Sequence, residues 1–287
     1  MKIAITGSTG FIGKHLSAFL INKGVEVHAI KREHYLPDRK TELISLLNGC
    51  DAVINLAGSS INCRWTKANK QKIKDSRIKT TRYLVQLINE LATKPEVLIS
   101  ISAVGIYTDK EVWSERSATY DKGFLASVCM EWEAEAKKVS SDIRLVIPRL
   151  GVVLSNDGGA FPKMFLPFRF FAGGRIASGN QGFSWIHLDD LLEIFWTIIN
   201  TKKMKGIIHC TAPQMCDNLI FTYTLAKASH RPVLLHIPSF IFRFIYGEGA
   251  SIIINGQKVF PYKLLNYGYS FQYPEIKTAL KNLVAKL

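Results

Sequence analysis

The chain lacks any apolar run long enough to cross a bilayer as a helix. The nearest candidate, Ile237 to Tyr246, is short and interrupted by Arg243. No CxxC pair or metal-ligand spacing occurs among its five cysteines, Cys50, Cys63, Cys129, Cys210 and Cys216, and the histidines are scattered. Neither a metal site nor a disulfide framework is therefore expected; isolated cysteines of this kind are small buried hydrophobes in a reducing compartment. An apolar strand that starts at Lys2 leaves no room for a secretory leader, so a cytoplasmic location is expected, without a membrane partner. Acidic residues are scarce as well: 23 Asp and Glu stand against 37 Lys and Arg, a net charge of +14. The densest basic cluster, Arg64, Lys67, Lys70, Lys72, Lys74, Arg77, Lys79 and Arg82, falls on one helix pattern, where it spreads over several faces. No RNP, KH or zinc-finger motif accompanies it. Nucleic acid is accordingly not expected, whereas an anionic small molecule is.

What is present is concentrated at the start. Lys2 to Thr6 is a β-branched apolar run, a buried-strand pattern, and Gly7, Gly10 and Gly13 follow at intervals of three, with a helical pattern opening at Phe11. A strand that enters a glycine-rich turn and then a helix aims free backbone N–H groups and a positive helix end at one point, where a pyrophosphate can sit. The turn therefore offers Gly7, Thr9, Gly10, Phe11, Ile12 and Gly13 as a dinucleotide site, with side chains at Gly7 or Gly10 expected to crowd the phosphates. The spacing is GxxGxxG and not GxGxxG. Just past a second strand, Val25 to Ile30, stand Lys31 and Arg32. A cation there accepts a 2′-phosphate, which favours NADP over NAD.

Strand and helix patterns alternate through the first half. The strands are expected at Lys2–Thr6, Val25–Ile30, Asp51–Leu56, Glu96–Ser102 and Ile143–Pro148, with helices at Phe11–Asn22, Lys67–Leu91 and Leu125–Val139. A helix at Leu188–Asn200 and a short strand at Gly206–Cys210 come later. Such alternation means parallel strands joined by right-handed crossovers, an α/β doubly wound sheet. Between Ile30 and Asp51 there is space for a loop and a helix near Thr41–Asn48, so the usual third strand is expected to be short or absent. Residues 1–155 with about 183–212 would form the sheet domain. About 156–182 and 213–287, rich in turns, prolines and aromatics, would form a smaller lobe over the carboxyl ends of the strands.

Thr6-Gly7-Ser8-Thr9-Gly10-Phe11-Ile12-Gly13, Asn55-Leu56-Ala57-Gly58 and Ser102-Ala103-Val104-Gly105-Ile106-Tyr107 resemble an extended short-chain dehydrogenase/reductase. Arg64-Trp65-Thr66, Ser76-Arg77, Phe124-Leu125-Ala126, Trp132-Glu133-Ala134-Glu135-Ala136, Leu166-Pro167-Phe168-Arg169, Ser184-Trp185-Ile186-His187-Leu188-Asp189-Asp190 and Arg231-Pro232 narrow it. They resemble the atypical epimerase-like family with a distinctive C-terminal domain of the DUF1731 type. The resemblance runs nearly end to end. It implies a Rossmann-type sheet, NADP (NADPH) binding and a C-terminal capping lobe. It places Leu56, Ala57 and Gly58 along the cofactor, with Arg77, Arg149 and Lys72 near it, and makes the helix Leu125–Val139 a candidate homodimer face.

The parent superfamily carries a Tyr-x-x-x-Lys pair on the helix after the serine-bearing strand. Anchored on Glu133, the equivalent positions here are Leu125 and Cys129, and only Ser102 stands where the pattern wants it. Ser102 is expected to position a substrate, with Tyr107 or His187 supplying the proton. Tyr120 and Cys129 are weaker substitutes, better explained as a turn residue and a buried thiol. Arg64 and Trp65 could grip an anionic or ring-shaped substrate, with Trp185 beside His187. Two functions are compatible with this: an NADP-dependent epimerase or oxidoreductase acting on a small polar substrate, such as a sugar or nucleotide-sugar, or a catalytically silent NADP-binding redox sensor or scaffold.

Overall fold

The computed structural model describes residues 1–117 and 119–286. The chain opens with β1 (Lys2–Thr6), α1 (Phe11–Asn22) and β2 (Glu26–Ile30), then α2 (Lys40–Leu47), β3 (Ala52–Asn55) and α3 (Lys67–Glu90). β4 (Val97–Ser100), β5 (Ser102–Ala103) and β6 (Val112–Trp113) precede α4 (Phe124–Ala136) and β7 (Arg144–Leu150). The main sheet is parallel throughout, and with β12 (Gly206–Cys210) its order is β12-β7-β4-β3-β1-β2, β5 pairing with β7. Rossmann-type winding is thereby observed. No strand lies between β2 and β3 among the described residues; two 3-10 turns, Arg32–Tyr35 and Pro37–Arg39, and α2 fill the interval. β2 is consequently an edge.

The chain leaves β1 toward β2 on one side and returns as β3 on the other, so the winding reverses between β1 and β3. In such sheets the crevice beyond the carboxyl ends at the reversal is the ligand position. Buried polar bonds fix that edge. Asn55 Oδ1 accepts the Thr6 hydroxyl at 2.7 Å, and Asn55 Nδ2 donates to Thr81 Oγ1 at 2.8 Å and Ser100 Oγ at 3.1 Å. One side chain thus joins β1, β3, β4 and α3.

β8 (Val152–Ser155), β9 (Gly158–Gly159), α5 (Phe161–Arg169), β10 (Gly174–Ile176), β11 (Trp185–His187) and α6 (Leu188–Asn200) follow. After β12 come α7 (Asn218–Ala228), β13 (Leu235–Ile237), α8 (Ser239–Tyr246), α9 (Ser251–Ile254), β14 (Lys258–Val259), α10 (Tyr262–Asn266) and α11 (Ile276–Ala285). β8 and β11 pair with each other and not with the main sheet. Their side chains alternate between two cores: Val153 and Ile186 pack with β1 and α6, whereas Leu154 and Trp185 join Phe161, Phe221 and Leu280. Period-two alternation makes this small sheet the wall shared by both cores.

Asp190 at the start of α6 ties the C-terminal segment to the sheet domain. Its carboxylate accepts the N–H groups of Gln272 at 2.8 Å and Tyr273 at 2.9 Å, and the Tyr269 hydroxyl at 3.2 Å. Replacing it by alanine orphans the buried Tyr273 N–H and the partly buried Gln272 N–H. Asp190→Ala should lower the unfolding free energy by about 3 kcal/mol, measured by urea titration. A change below about 0.5 kcal/mol would show that water replaces the carboxylate there.

Candidate functional site

The glycine turn ends β1. Gly7 has φ +67°, and a Cβ on it would lie 2.7 Å from Leu56 O. A Cβ on Gly13 would lie 2.3 Å from Gly7 O. These two glycines therefore serve the approach of the protein's own backbones; the expectation that a side chain at Gly7 meets phosphate is corrected, since it meets Leu56 first. Gly10 differs. It is the N-cap of α1, its Cβ position has only Gly7 O nearby at 3.2 Å, and no side chain caps the helix. The N–H groups of Phe11, Ile12 and Gly13 thus open onto the crevice, with Thr9 exposed beside them. The Phe11 ring turns away under the β9 turn, against Gly158 and Gly159. The Ser8 hydroxyl is buried without a hydrogen-bond partner. An uncapped helix start, a cradle that only glycine keeps open and an orphaned hydroxyl fit the phosphates of a dinucleotide.

Cations border this crevice. Lys31 and Arg32 stand just past β2; Lys31 is 3.8 Å from Glu33, and Arg32 is exposed and forms no ion pair among the described residues. Leu56, Ala57 and Gly58 run along the opposite lip. Arg77, on α3, lies against Gly58 and donates to the carbonyls of Ser59 at 3.0 Å and Ile73 at 3.2 Å. No carboxylate pairs with it among the described residues, and burial pulls its pKa below the ordinary arginine value. An uncompensated guanidinium of this kind is completed by an anion. Lys72, one turn earlier, is exposed. Four of the eight clustered cations, Lys70, Lys74, Lys79 and Arg82, are paired with carboxylates, which breaks up the basic stripe.

Deeper in, the sequence expectations part from the geometry. Arg149 does not reach the crevice. It is fully buried and grips Glu133 with two bonds of 2.8 Å, and it donates to the hydroxyls of Tyr107 at 2.5 Å and Tyr120 at 3.1 Å. The Tyr107 hydroxyl also lies 2.9 Å from His209 Nε2, whose Nδ1 is 3.1 Å from Phe260 O. A carbonyl partner assigns the proton to Nδ1, so Nε2 accepts from Tyr107. Tyr107 is fully buried, and burial raises its pKa to about 12, so its hydroxyl serves the packed network with Arg149 and His209 and not the open crevice.

His187 is likewise out of the crevice. Its Nδ1 accepts the Asp189 N–H at 3.1 Å, capping α6, and its ring stacks on Tyr273 at 3.9 Å. Burial lowers its pKa. Trp185 lies in the second core and is 1% exposed. Ser102 ends the main sheet beside Arg149 in register, and its hydroxyl, like His187 Nε2 and Trp185 Nε1, is buried without a hydrogen-bond partner. Leu125 packs near Gly105, and burial raises the Cys129 thiol to about 11, so neither does acid–base work near neutral pH.

Trp65 stands edge-on to Phe124, with ring centroids 5.0 Å apart, and both wall a cleft of about 520 Å³. The other wall is the C-terminal lobe, including Arg243, Glu248, Ser251 and Asn255. Arg64 points across it, donating to Phe244 O at 3.1 Å, and Lys70 pairs with Glu248. Arg243 and Phe124 are not among the site residues expected from sequence, Arg243 because it stands in no motif; Arg149 is, but its pairing with Glu133, 16 residues away, carries no sequence signal. No group of three or more metal-ligating side chains occurs among the described residues.

The model described as the NAD dependent epimerase/dehydratase family matches residues 3–209. The chain belongs to that family. A second model, a domain of unknown function (DUF1731), matches residues 237–283, the C-terminal part of the lobe. Among curated members of the epimerase family, a Staphylococcus saprophyticus protein is 40% identical over 98% of both chains. The crystal structure of human epimerase family protein SDR39U1 with NADPH aligns over all of both chains, at 32% identity and TM-score 0.93. A nucleoside-diphosphate sugar epimerase from Corynebacterium glutamicum aligns at 31% identity and TM-score 0.80, over all of this chain and 58% of that one.

The buried network carries a pH signature. Burial lowers His209 from 6.5 to about 3, so the folded chain refuses a proton that the unfolded chain accepts. Its contribution is present above 6.5 and lost as pH falls toward 3. His187 adds in the same direction. Unfolding free energy measured from pH 7 to pH 4 should fall up to about 1.4 kcal/mol per pH unit more steeply than in His209→Asn. Parallel slopes would mean that His209 titrates alike in the folded and the unfolded chain.

Proposed function

We propose that the protein binds NADPH across the crevice and exchanges hydride with a small polar substrate held between Trp65 and the C-terminal lobe. The observation that carries the reading is the uncapped start of α1 with Arg32 and Arg77 free of carboxylates on either side. Three open N–H groups suit the pyrophosphate, and Arg32 with Lys31 suits the 2′-phosphate. The NADPH in the human neighbour's crystal structure supports the same cofactor. When bound, NADPH supplies a hydride. The orphaned Ser102 hydroxyl is suited to orient a substrate carbonyl or hydroxyl, and the cleft at Trp65 and Arg243 suits a ring with an anionic group. The corynebacterial neighbour supports a nucleotide-sugar as one such substrate. Five unpaired cysteines support a cytoplasmic, reducing setting.

A second reading, a silent NADPH-binding redox sensor, is favoured by one observation. Leu125 and Cys129 hold the positions of the superfamily's Tyr and Lys, while Tyr107 and His187 are sealed in packing.

Calorimetric titration should give tighter binding for NADPH than for NADH. Arg32→Glu should weaken NADPH by roughly tenfold or more and leave NADH unchanged. Equal affinity for both in the unaltered chain would remove the 2′-phosphate role. Reduction of NADP+ by a panel of nucleotide-sugars, oxidation of NADPH by their keto forms and interconversion of their epimers then divide the two readings: turnover that Ser102→Ala reduces by about a hundredfold supports the enzyme. NADPH binding without turnover on any member supports the sensor.

A further inference from the structure

The C-terminal lobe carries apolar side chains that its own core does not take up. α8 has no buried residue, and its Phe240 and Phe244 are 68% and 82% exposed. Phe170, just after α5, is 74% exposed, and Leu234, just before β13, is 67% exposed. These positions share one neighbourhood. The Leu234 N–H donates to Gly173 O at 3.3 Å, β13 pairs with β10, and β13 leads through Pro238 into α8. Phe171, half exposed, has φ +58°, a left-handed conformation that strains an aromatic residue, and Arg231 sits 4.4 Å above its ring. Strain and exposure together on a loop tip are features that folding alone would remove.

The segments that carry these side chains hold cations and no carboxylate, with Glu248 following just after α8. Residues 158–188 contain Lys163, Arg169 and Arg175, and residues 218–247 contain Lys227, Arg231 and Arg243; neither stretch holds an Asp or Glu. A second copy of the chain docked symmetrically would bring these cations against their own kind. The phenylalanines stand on a loop tip and a helix instead of lining the nearby cleft, whose aromatic walls are Trp65 and Phe124. Protruding apolar anchors ringed by unpaired cations are complementary to a lipid surface bearing negative headgroups.

We infer that this face of the lobe docks on an anionic lipid surface. Phe170, Phe240 and Phe244 enter the headgroup boundary, and Arg169, Arg231 and Lys227 meet the lipid phosphates. The absence of a spanning helix among the described residues is no obstacle, since such docking is peripheral. The inference is independent of the cofactor reading. It also places the cleft near the lipid, because α8 contributes Arg243 to it.

Flotation of the purified protein with vesicles tests this. Vesicles of phosphatidylcholine mixed with phosphatidylglycerol should bind the protein, pure phosphatidylcholine should bind at least about tenfold less, and salt should release it. Phe240→Ser with Phe244→Ser should reduce binding by about tenfold or more while leaving Tm and NADPH affinity unchanged. Lys227→Glu with Arg231→Glu should abolish the preference for phosphatidylglycerol and serves if the first pair misfolds. Binding to neither vesicle, equal binding to both, or unaltered binding by the phenylalanine variant would overturn the inference. So would a dimer seen by light scattering that the phenylalanine variant splits, since that assigns the face to a second copy.

Discussion

Three backbones meet at the end of β1 closer than any side chain allows. Gly7 turns with positive φ under Leu56 O, and Gly13 brings α1 down onto Gly7 O. This approach sets the angle at which α1 leaves the sheet, and so where its uncapped N–H groups point. It also brings the β1–α1 turn against the β3 loop across the reversal of the winding. The crevice, its uncapped N–H donors and the lip formed by Leu56 to Gly58 follow from that contact. Asn55 locks the same edge from below with its bonds to Thr6, Thr81 and Ser100.

Around this rigid turn, charge is organised by burial. Arg149 and Arg77 sit near the same sheet edge and behave oppositely. Arg149 is neutralised by Glu133 with bidentate geometry, and with Tyr107, Tyr120 and His209 it forms a closed polar core under the site. Arg77 has two carbonyls and the Trp132 ring, 5.4 Å away, and no carboxylate among the described residues. A buried ion pair whose members are all satisfied orients the elements that carry it but is not available for binding. That contrast explains why two arginines placed alike by family resemblance have different standing in the structure.

The lobe over the crevice is held by fewer, more specific ties: the Asp190 carboxylate, the shared β8–β11 wall, and Arg64 reaching to Phe244 O. Its inner face closes the cleft at Trp65, and its outer face leaves α8 uncovered.

The sequence by itself determined the alternation of strands and helices, the missing third strand and the glycine turn, because these rest on local periodicity and on contacts between neighbours in the chain. The place of Lys31 and Arg32 just past β2 was legible for the same reason, since it follows from where the strand ends. Tertiary structure alone decided the fate of the titratable residues. Tyr107, His187 and Arg149 look alike in sequence to groups that face a ligand, and each is sealed by partners distant in the chain: Tyr107 by His209, His187 by Tyr273, Arg149 by Glu133. Whether a polar side chain is a reagent or a strut depends on its desolvation and its partners. Both are properties of packing, which no local pattern records.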